Sequence, residues 1–322
     1  NFIENISLNN WVDILSYLIK NIPGVYNIII FNNFKVYALK DKYSVRPLCI
    51  GKNKNGYMVA SESNALNKYE YLFEINPGEI VIISDKIIRF NHNIPNNLNI
   101  CLFEYIYFLN KNSIMNNQNI FNFRFNFGRK LAESEEKIFD IDDVIVVGSP
   151  ESGIASAMGF ADKLGYKYCQ VIKKNKNVSR SFILKNNEER RNECSKKFVL
   201  DNREEYLNKI IYFLDDSIVR GNTISFIISV LKELKPKEIH IRIPAPKIID
   251  ICKFGIDIPT KDELIMNRMD EKGFENDNQI ESLRYLDLES MRKVIGEGLN
   301  IEKNNFCVGC FTGDYERKLL DW

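Results

Sequence analysis

Apolar and polar positions change their rhythm near residue 121 of the 322-residue chain. Before that point the apolar runs are short and closely spaced. Segments 26–31 (YNIIIF), 35–38 (KVYA), 48–51 (LCIG), 57–61 (YMVAS) and 79–84 (EIVIIS) have strand length and β-branched content. Asn32-Asn33, Lys54-Asn55-Gly56 and Asn76-Pro77-Gly78 punctuate them as turns. Residues 11–19 (WVDILSYLI) carry helical spacing ahead of them. This part therefore reads as an antiparallel sheet region with a leading helix. Residues 91–120 are rich in Asn, hold one strand-like run at 101–109 (CLFEYIYFL), and read as a connector.

Beyond residue 121 apolar strands alternate with helices, the pattern of βαβ units and a parallel sheet. A helical stretch at 128–136 precedes a buried strand at 143–148 (DVIVVG), a loop at 149–153 (SPESG) and a helix at 154–164. A strand-like run at 168–172 leads into the basic segment 173–180, then 181–184 and a charged helix around 188–197. Strand 210–214 (IIYFL) stops at Asp215 and Asp216, a turn with Arg220 and Gly221 follows, and Asn222 and Thr223 open an apolar run at 224–234 of helical length. The strand 239–243 comes next, and from residue 262 the chain reads as two short helices and a Cys-bearing tail.

A strand, a loop and a helix start is how α/β proteins build phosphate sites. Backbone N–H groups and the Thr223 hydroxyl can hold a phosphate, and two acids at a strand end can take the hydroxyls of a ribose, with or without a divalent metal. The plain alternative is a strand end with an Asp N-cap. In a parallel sheet the loops at 149–153 and 215–223 open on the same edge.

Composition narrows the partners. A formal net charge of +1 gives no reason to expect nucleic acid or an anionic membrane. No apolar run has bilayer-spanning length, and the start NFIENISLNNW lacks a signal-peptide pattern, so a cytoplasmic protein is expected. Seven cysteines in such a chain argue against a disulfide framework. Only Cys307-Val-Gly-Cys310 forms a CxxC, whose spacing suits a redox pair, half a zinc site or half an iron–sulfur site equally.

From about residue 7 onward the chain resembles the amidophosphoribosyltransferases, the glutamine phosphoribosylpyrophosphate amidotransferases that start purine synthesis. LDDSIVRGNT looks like their substrate loop. RPLCIG, MVASES and PGEIVII resemble their N-terminal domain, and CLFEYIYF, GSPESG, SRSFI, FGIDIPT and CVGCFTGDY follow in family order. The resemblance implies an α/β chain, with a partial N-terminal-nucleophile hydrolase sheet domain at 1–95, a connector at 96–125 and a type I phosphoribosyltransferase domain at 126–322. The implied reaction forms 5-phosphoribosylamine from 5-phosphoribosyl diphosphate and ammonia, glutamine-derived or free. The alternative is a non-catalytic sensor of that diphosphate or of nucleotides on the same fold.

Roles carried over by the resemblance are specific. Asp215 and Asp216 contact the ribose hydroxyls and Mg²⁺, and Ser217, Ile218, Val219, Arg220, Gly221, Asn222 and Thr223 cradle the 5-phosphate. Ser152 meets diphosphate and metal, with an ordinary helix N-cap as its alternative, and Glu151 stands where many members have Asp. Lys173 and Arg180 belong to the family's flexible loop and meet the leaving diphosphate, although Asn177 and Ser179 depart from its Tyr and Gly. Cys101, Cys252, Cys307 and Cys310 fall on the ligand positions of the 4Fe-4S cluster of one family branch, with zinc as the alternative. Purine nucleotides as inhibitors and a homo-oligomer also follow. The first Cys is Cys49 and residues 7–10 read SLNN, so the nucleophile and a substrate Asp of the glutaminase are not seen; this polypeptide is expected not to hydrolyse glutamine.

Overall fold

Helix α1 (Trp11–Asn21) begins where Asn10 caps it, the Asn10 side chain accepting from the Asp13 amide at 3.0 Å. The computed structural model describes residues 10–22, 24–91, 98–115, 117–174, 198–201, 203–258, 260–302 and 304–315. Seven strands follow α1: β1 (Asn27–Asn32), β2 (Lys35–Lys40), β3 (Cys49–Asn53), β4 (Gly56–Ala60), β5 (Glu70–Glu74), β6 (Glu79–Ile83) and β7 (Ile87–Asn91). They form two antiparallel sheets, ordered β1-β2-β6-β7 and β4-β3-β5. Leu15 and Ile19 of α1 pack on Leu39 and Ile80, while Ala38, Val81 and Ile83 on the opposite face meet Leu48, Ile50 and Ile75. Alternation in β2 and β6 thus serves two apolar layers. Strands β5 and β7 were not expected from the sequence.

The stretch expected as a connector holds β8 (Ile100–Cys101), β9 (Ile114–Met115), β10 (Gln118–Asn119) and the start of α2 (Ile120–Ala132). The run 101–109 is not a strand: after two residues of β8 it winds into a π-helical turn at Glu104–Phe108. Leu102, Phe103, Tyr105 and Ile106 are buried while Tyr107 and Phe108 are exposed, and so continuous an apolar run has no periodicity that distinguishes strand from helix. The helix expected at 128–136 starts eight residues earlier and ends at Ala132.

The second sheet system is as the alternation predicts. Strands β11 (Val144–Gly148), β12 (Lys167–Tyr168), β15 (Ile210–Leu214), β16 (Glu238–Ile243) and β17 (Ser282–Tyr285) form one parallel sheet, ordered β12-β11-β15-β16-β17. Helix α3 (Ile154–Leu164) follows β11, and α4 (Asn222–Leu231), with a further 3₁₀ turn, follows β15. Strands β13 (Ile172–Lys174) and β14 (Phe198–Leu200) pair separately as an antiparallel ribbon. Arg180, the run 181–184 and the helix expected around 188–197 lie outside the described residues. The C-terminal part is richer than two helices: it holds α5 (Ile265–Arg268), α6 (Glu271–Asn278), β17, α7 (Leu288–Leu299), β18 (Phe306–Cys307) and α8 (Gly309–Thr312).

Two contacts fix the geometry around the parallel sheet. A Cβ on Gly128 of α2 would lie 1.9 Å from the Ser156 carbonyl of α3, and one on Gly159 would lie 1.9 Å from the Phe125 carbonyl. The two helices therefore touch backbone to backbone. One large apolar core runs from Tyr43 and Val45 through the π turn and α2 to both faces of the sheet. Among the described residues no helix is long and apolar enough to cross a membrane.

Candidate functional site

Register places the two strand-end loops side by side. Gly148 of β11 pairs with Leu214 of β15, and the Ser149 amide donates to the Leu214 carbonyl at 2.7 Å. Gly153, which caps α3, sits so close that a Cβ would lie 2.2 Å from that same carbonyl. Ser152 is thereby carried over the acid pair, and its Oγ donates to Asp215 Oδ1 at 3.1 Å. Ser152 makes no capping bond to α3, so its hydroxyl serves the acids and the N-cap reading is set aside.

Asp215 and Asp216 are each 7% exposed. Asp215 Oδ1 also accepts from the Asp216 amide at 2.9 Å, and Asp216 Oδ1 accepts from Ser217 Oγ at 2.5 Å. Burial first, and then the Asp216 charge, push the Asp215 carboxyl above the usual carboxylate range; Ser149 and Ser152 oppose this. Asp216 is likewise raised by burial, opposed by Ser217, Ser152 and the positive charge of Arg124. Neither carboxylate is in an ion pair among the described residues. Two adjacent buried carboxylates flanked by hydroxyls form an oxygen donor set that suits a hard divalent cation.

The loop after the pair is held from outside. Ile218 is buried, the Val219 carbonyl accepts from the Ile265 amide at 2.9 Å, and Arg220 Nε donates to Glu263 Oε2 at 2.6 Å. Gly221 takes φ +85° as it enters α4, a left-handed conformation that suits Gly, and the Ser225 amide returns to its carbonyl at 3.0 Å. Asn222 and Thr223 then lie in the first turn of α4, where free amides and the helix dipole favour an anion.

Of the two basic residues expected at the diphosphate, Lys173 lies on β13 and Arg180 lies outside the described residues. Lys173 pairs with Asp201 at 3.6 Å across the β13–β14 ribbon, and its neighbour Lys174 reaches Glu151 at 2.6 Å. Glu151 has φ +72°, an unusual conformation for a non-Gly residue, one position before Ser152, whose hydroxyl meets the acids. Lys174, Ser149, Glu263 and Arg124 are site neighbours that sequence reasoning missed.

The four cysteines expected to act together converge. Parallel pairing of β8 with β18 sets Cys101 opposite Cys307, and the Ile249 and Asp250 amides donate to the Cys310 carbonyl at 2.9 and 3.1 Å, next to Cys252. The Cys310 thiol is pushed well up by burial and then by Cys101, Cys307 and Cys252. None of the four is in a disulfide. Among the described residues no three His, Cys, Asp or Glu side chains are arranged to hold one metal ion. Four thiols drawn together in this way are the donor type that a 4Fe-4S cluster takes, one thiolate per iron, and that zinc takes as well.

No protein-family model matches the chain. The amidophosphoribosyltransferase of Rattus norvegicus is 34% identical over 356 aligned positions, covering 97% of this chain and 68% of the relative. That of Methanocaldococcus jannaschii is 31% identical over 331, with the same coverage. A solved structure described as the allosteric regulatory enzyme of purine biosynthesis superposes with a TM-score of 0.84 at 32% identity, over 98% of this chain and 67% of its own. The glutamine phosphoribosylpyrophosphate amidotransferase of B. subtilis, complexed with ADP and GMP, gives 0.78 at 30% identity, over 98% and 73%.

Proposed function

The chain belongs to the amidophosphoribosyltransferase family, pentosyltransferases of the first step of purine biosynthesis, and on that premise we propose how its own residues act. Asp215 and Asp216 hold the ribose hydroxyls of 5-phosphoribosyl diphosphate, and the amides of 217–223 with the Thr223 hydroxyl hold its 5-phosphate. Ammonia attacks C1 of the ribose, the C1–N bond forms as the C1–O bond to diphosphate breaks, and the surplus proton passes to solvent. Lys173 and Arg180 meet the departing diphosphate. Mg²⁺, held by Asp215, Asp216 and Ser152, supplies charge neutralisation on the diphosphate when bound. Because ammonia is already a nucleophile, orientation and charge stabilisation carry the rate.

The observation that carries this reading is the Ser152–Asp215 hydrogen bond. It joins two strand-end loops over a buried acid pair at the mouth of a helix N-terminus. Family membership favours the transferase over the sensor. Cys101, Cys252, Cys307 and Cys310 hold a 4Fe-4S cluster that fastens the tail to the connector. The protein works in the cytoplasm as a homo-oligomer, and purine nucleotides inhibit it; the ADP and GMP in the B. subtilis relative support the last point. The domain division at 1–95, 96–125 and 126–322 and ammonia, glutamine-derived or free, as the nitrogen source belong to the same reading.

The test is phosphoribosylamine formation from 5-phosphoribosyl diphosphate, Mg²⁺ and ammonium chloride. Turnover that rises with the free-ammonia fraction is expected. Folded protein with no turnover at saturating ammonium would overturn the proposal.

A further inference from the structure

We infer that segment 261–268 is a strap that aims the substrate loop, turning the Arg220 and Gly221 amides onto the 5-phosphate. The inference rests on the phosphoribosyl reading of residues 217–223. It makes Ile265, Arg268 and Glu263 positioning residues, which act through the loop and not on the substrate. The strap consists of a 3₁₀ turn at Lys261–Glu263 followed by α5.

Two carbonyls of the loop are taken by the strap. The Ile265 amide donates to the Val219 carbonyl at 2.9 Å, and Arg268 Nη2 donates to the Arg220 carbonyl at 3.4 Å. Both peptide units are trans, and in a trans peptide the N–H points away from the C=O of the same unit. The Arg220 and Gly221 amides are therefore turned away from the strap. Among the described residues neither amide has a protein acceptor. Gly221, at φ +85°, lets successive amides face one concave side, the geometry of an anion nest. Glu263 Oε2 accepts from Arg220 Nε at 2.6 Å, which keeps that guanidinium on the strap side.

The strap is itself fastened at several points. Asn267 Nδ2 donates to the Ile249 carbonyl at 2.9 Å and to the Lys261 carbonyl at 3.0 Å. Lys261 pairs with Asp250 at 2.9 Å, and Leu264 and Ile265 are buried. A Cβ on Gly221 would lie 3.2 Å from Ile265 Cγ1, so loop and strap are also in packing contact. These ties reach only the phosphate end of the site. The acid pair is held separately, by Ser152, the Asp216 amide and Ser217. The strap therefore governs affinity for the 5-phosphate and leaves the diphosphate and metal end largely alone.

A proline at residue 265 tests this, because it deletes the N–H and disturbs little else. Residue 265 opens α5, a position that accepts proline, and Leu264 before it is already extended at φ −71°, ψ 121°. The readout is the Kd of the full chain, by calorimetry, for ribose 5-phosphate and separately for diphosphate with Mg²⁺. In Ile265→Pro, ribose 5-phosphate is expected to bind about tenfold more weakly, the size of one hydrogen bond, with diphosphate binding within about twofold of wild type. Ile265→Val, which also loses apolar bulk but keeps the N–H, is expected to restore ribose 5-phosphate binding. Where the proline variant does not fold, Arg268→Met against Arg268→Lys makes the same comparison at the Arg220 carbonyl. Ribose 5-phosphate binding as tight as wild type in Ile265→Pro and Arg268→Met, or equal weakening of both ligands, would overturn the inference. Wild type that does not bind ribose 5-phosphate would overturn the phosphoribosyl reading itself, and this inference with it.

Discussion

Replacing Gly153 with Ala asks whether the contact between β15 and the head of α3 sets the chemistry. The added Cβ would lie 2.2 Å from the Leu214 carbonyl and 2.7 Å from the Ser149 amide, both backbone atoms that cannot rotate aside. Restoring ordinary contact requires the 149–153 loop to retreat by about 1 Å, in an interior packed too tightly to absorb it locally. The Ser152–Asp215 bond, already 3.1 Å long, would then break. A misplacement of about 1 Å near reacting atoms costs on the order of a hundredfold in rate, and backbone overpacking costs about 1–3 kcal/mol in stability. The assay is kcat/KM for 5-phosphoribosyl diphosphate at saturating ammonium, beside a urea unfolding curve. Gly165→Ala is the control, because that glycine is also at a helix end but has nothing within 4 Å of its Cβ position. Its φ of +74° predicts a stability loss with activity kept. A folded Gly153→Ala protein with wild-type kcat/KM would refute the claim that this contact positions the site.

Other perturbations separate function from stability. Asp216→Asn should cut ammonia-dependent turnover at least about a hundredfold, as a lost orienting and charge-bearing group does. It should also raise stability at neutral pH, because burial holds the native carboxyl above its ordinary pKa and ionising it costs the fold; urea midpoints check the sign. Asp41 is raised from 3.8 to about 6, chiefly by burial. Stability from this group is therefore full below its ordinary pKa and is lost as pH climbs from 3.8 to about 6. Asp41→Asn should gain up to about 3 kcal/mol above that window and flatten the pH dependence within it, and urea midpoints running parallel to wild type would contradict this. Cys310→Ser should abolish iron and sulfide in anaerobically purified protein, whereas Cys49→Ser should leave both unchanged.

What was legible in the chain follows from which rules operate locally. Strands β11 and β15 are buried on both faces, so VIVVG and IIYFL read as continuous apolar runs, and turn chemistry fixes their ends at Gly148 and Asp215. The loops that matter hang on those ends, and the acid pair was visible for that reason. Helix α2 was misplaced because its phenylalanines alternate. Phe121, Phe123, Phe125 and Phe127 have the period of a strand, yet only Phe123 and Phe127, four residues apart, are buried, while Phe121 and Phe125 stack outside with ring centroids 6.3 Å apart. Arg124 was missed with it, since an Arg on an amphipathic helix ordinarily points to water. Only the π turn, whose carbonyls need a donor, makes its burial reasonable. The turn itself depends on packing around Tyr105 that no local pattern encodes.

The acid pair differs from the other buried acids in a way that argues for a ligand. Glu79 is met by Arg89, Glu104 by Arg46, Asp250 by Lys261 and Glu275 by Lys272, and the nearly inaccessible Glu135 side chain is forked by Arg242, whose Nη2 donates to it at 2.8 Å. Each of these is a compensated charge, and removing the cation would leave the buried acid stranded. Asp41 has no ion-pair partner among the described residues, but its Oδ1 accepts from the Tyr43 and Ser44 amides at 2.8 and 2.9 Å and so closes a tight turn. Among the described residues Asp215 and Asp216 have neither a cation in contact nor a turn that needs them both. Two like charges side by side in a buried site, softened among the described residues by three serines, the Asp216 and Ser217 amides and Arg124 at longer range, lower stability in the free protein. A divalent cation and a ribose would remove that cost at one stroke, so the binding energy is stored in the fold as unmet charge. The same reasoning predicts that Mg²⁺ with 5-phosphoribosyl diphosphate raises the unfolding midpoint of the wild type, and that Asp216→Asn, already relieved of the repulsion, gains far less from the same ligands.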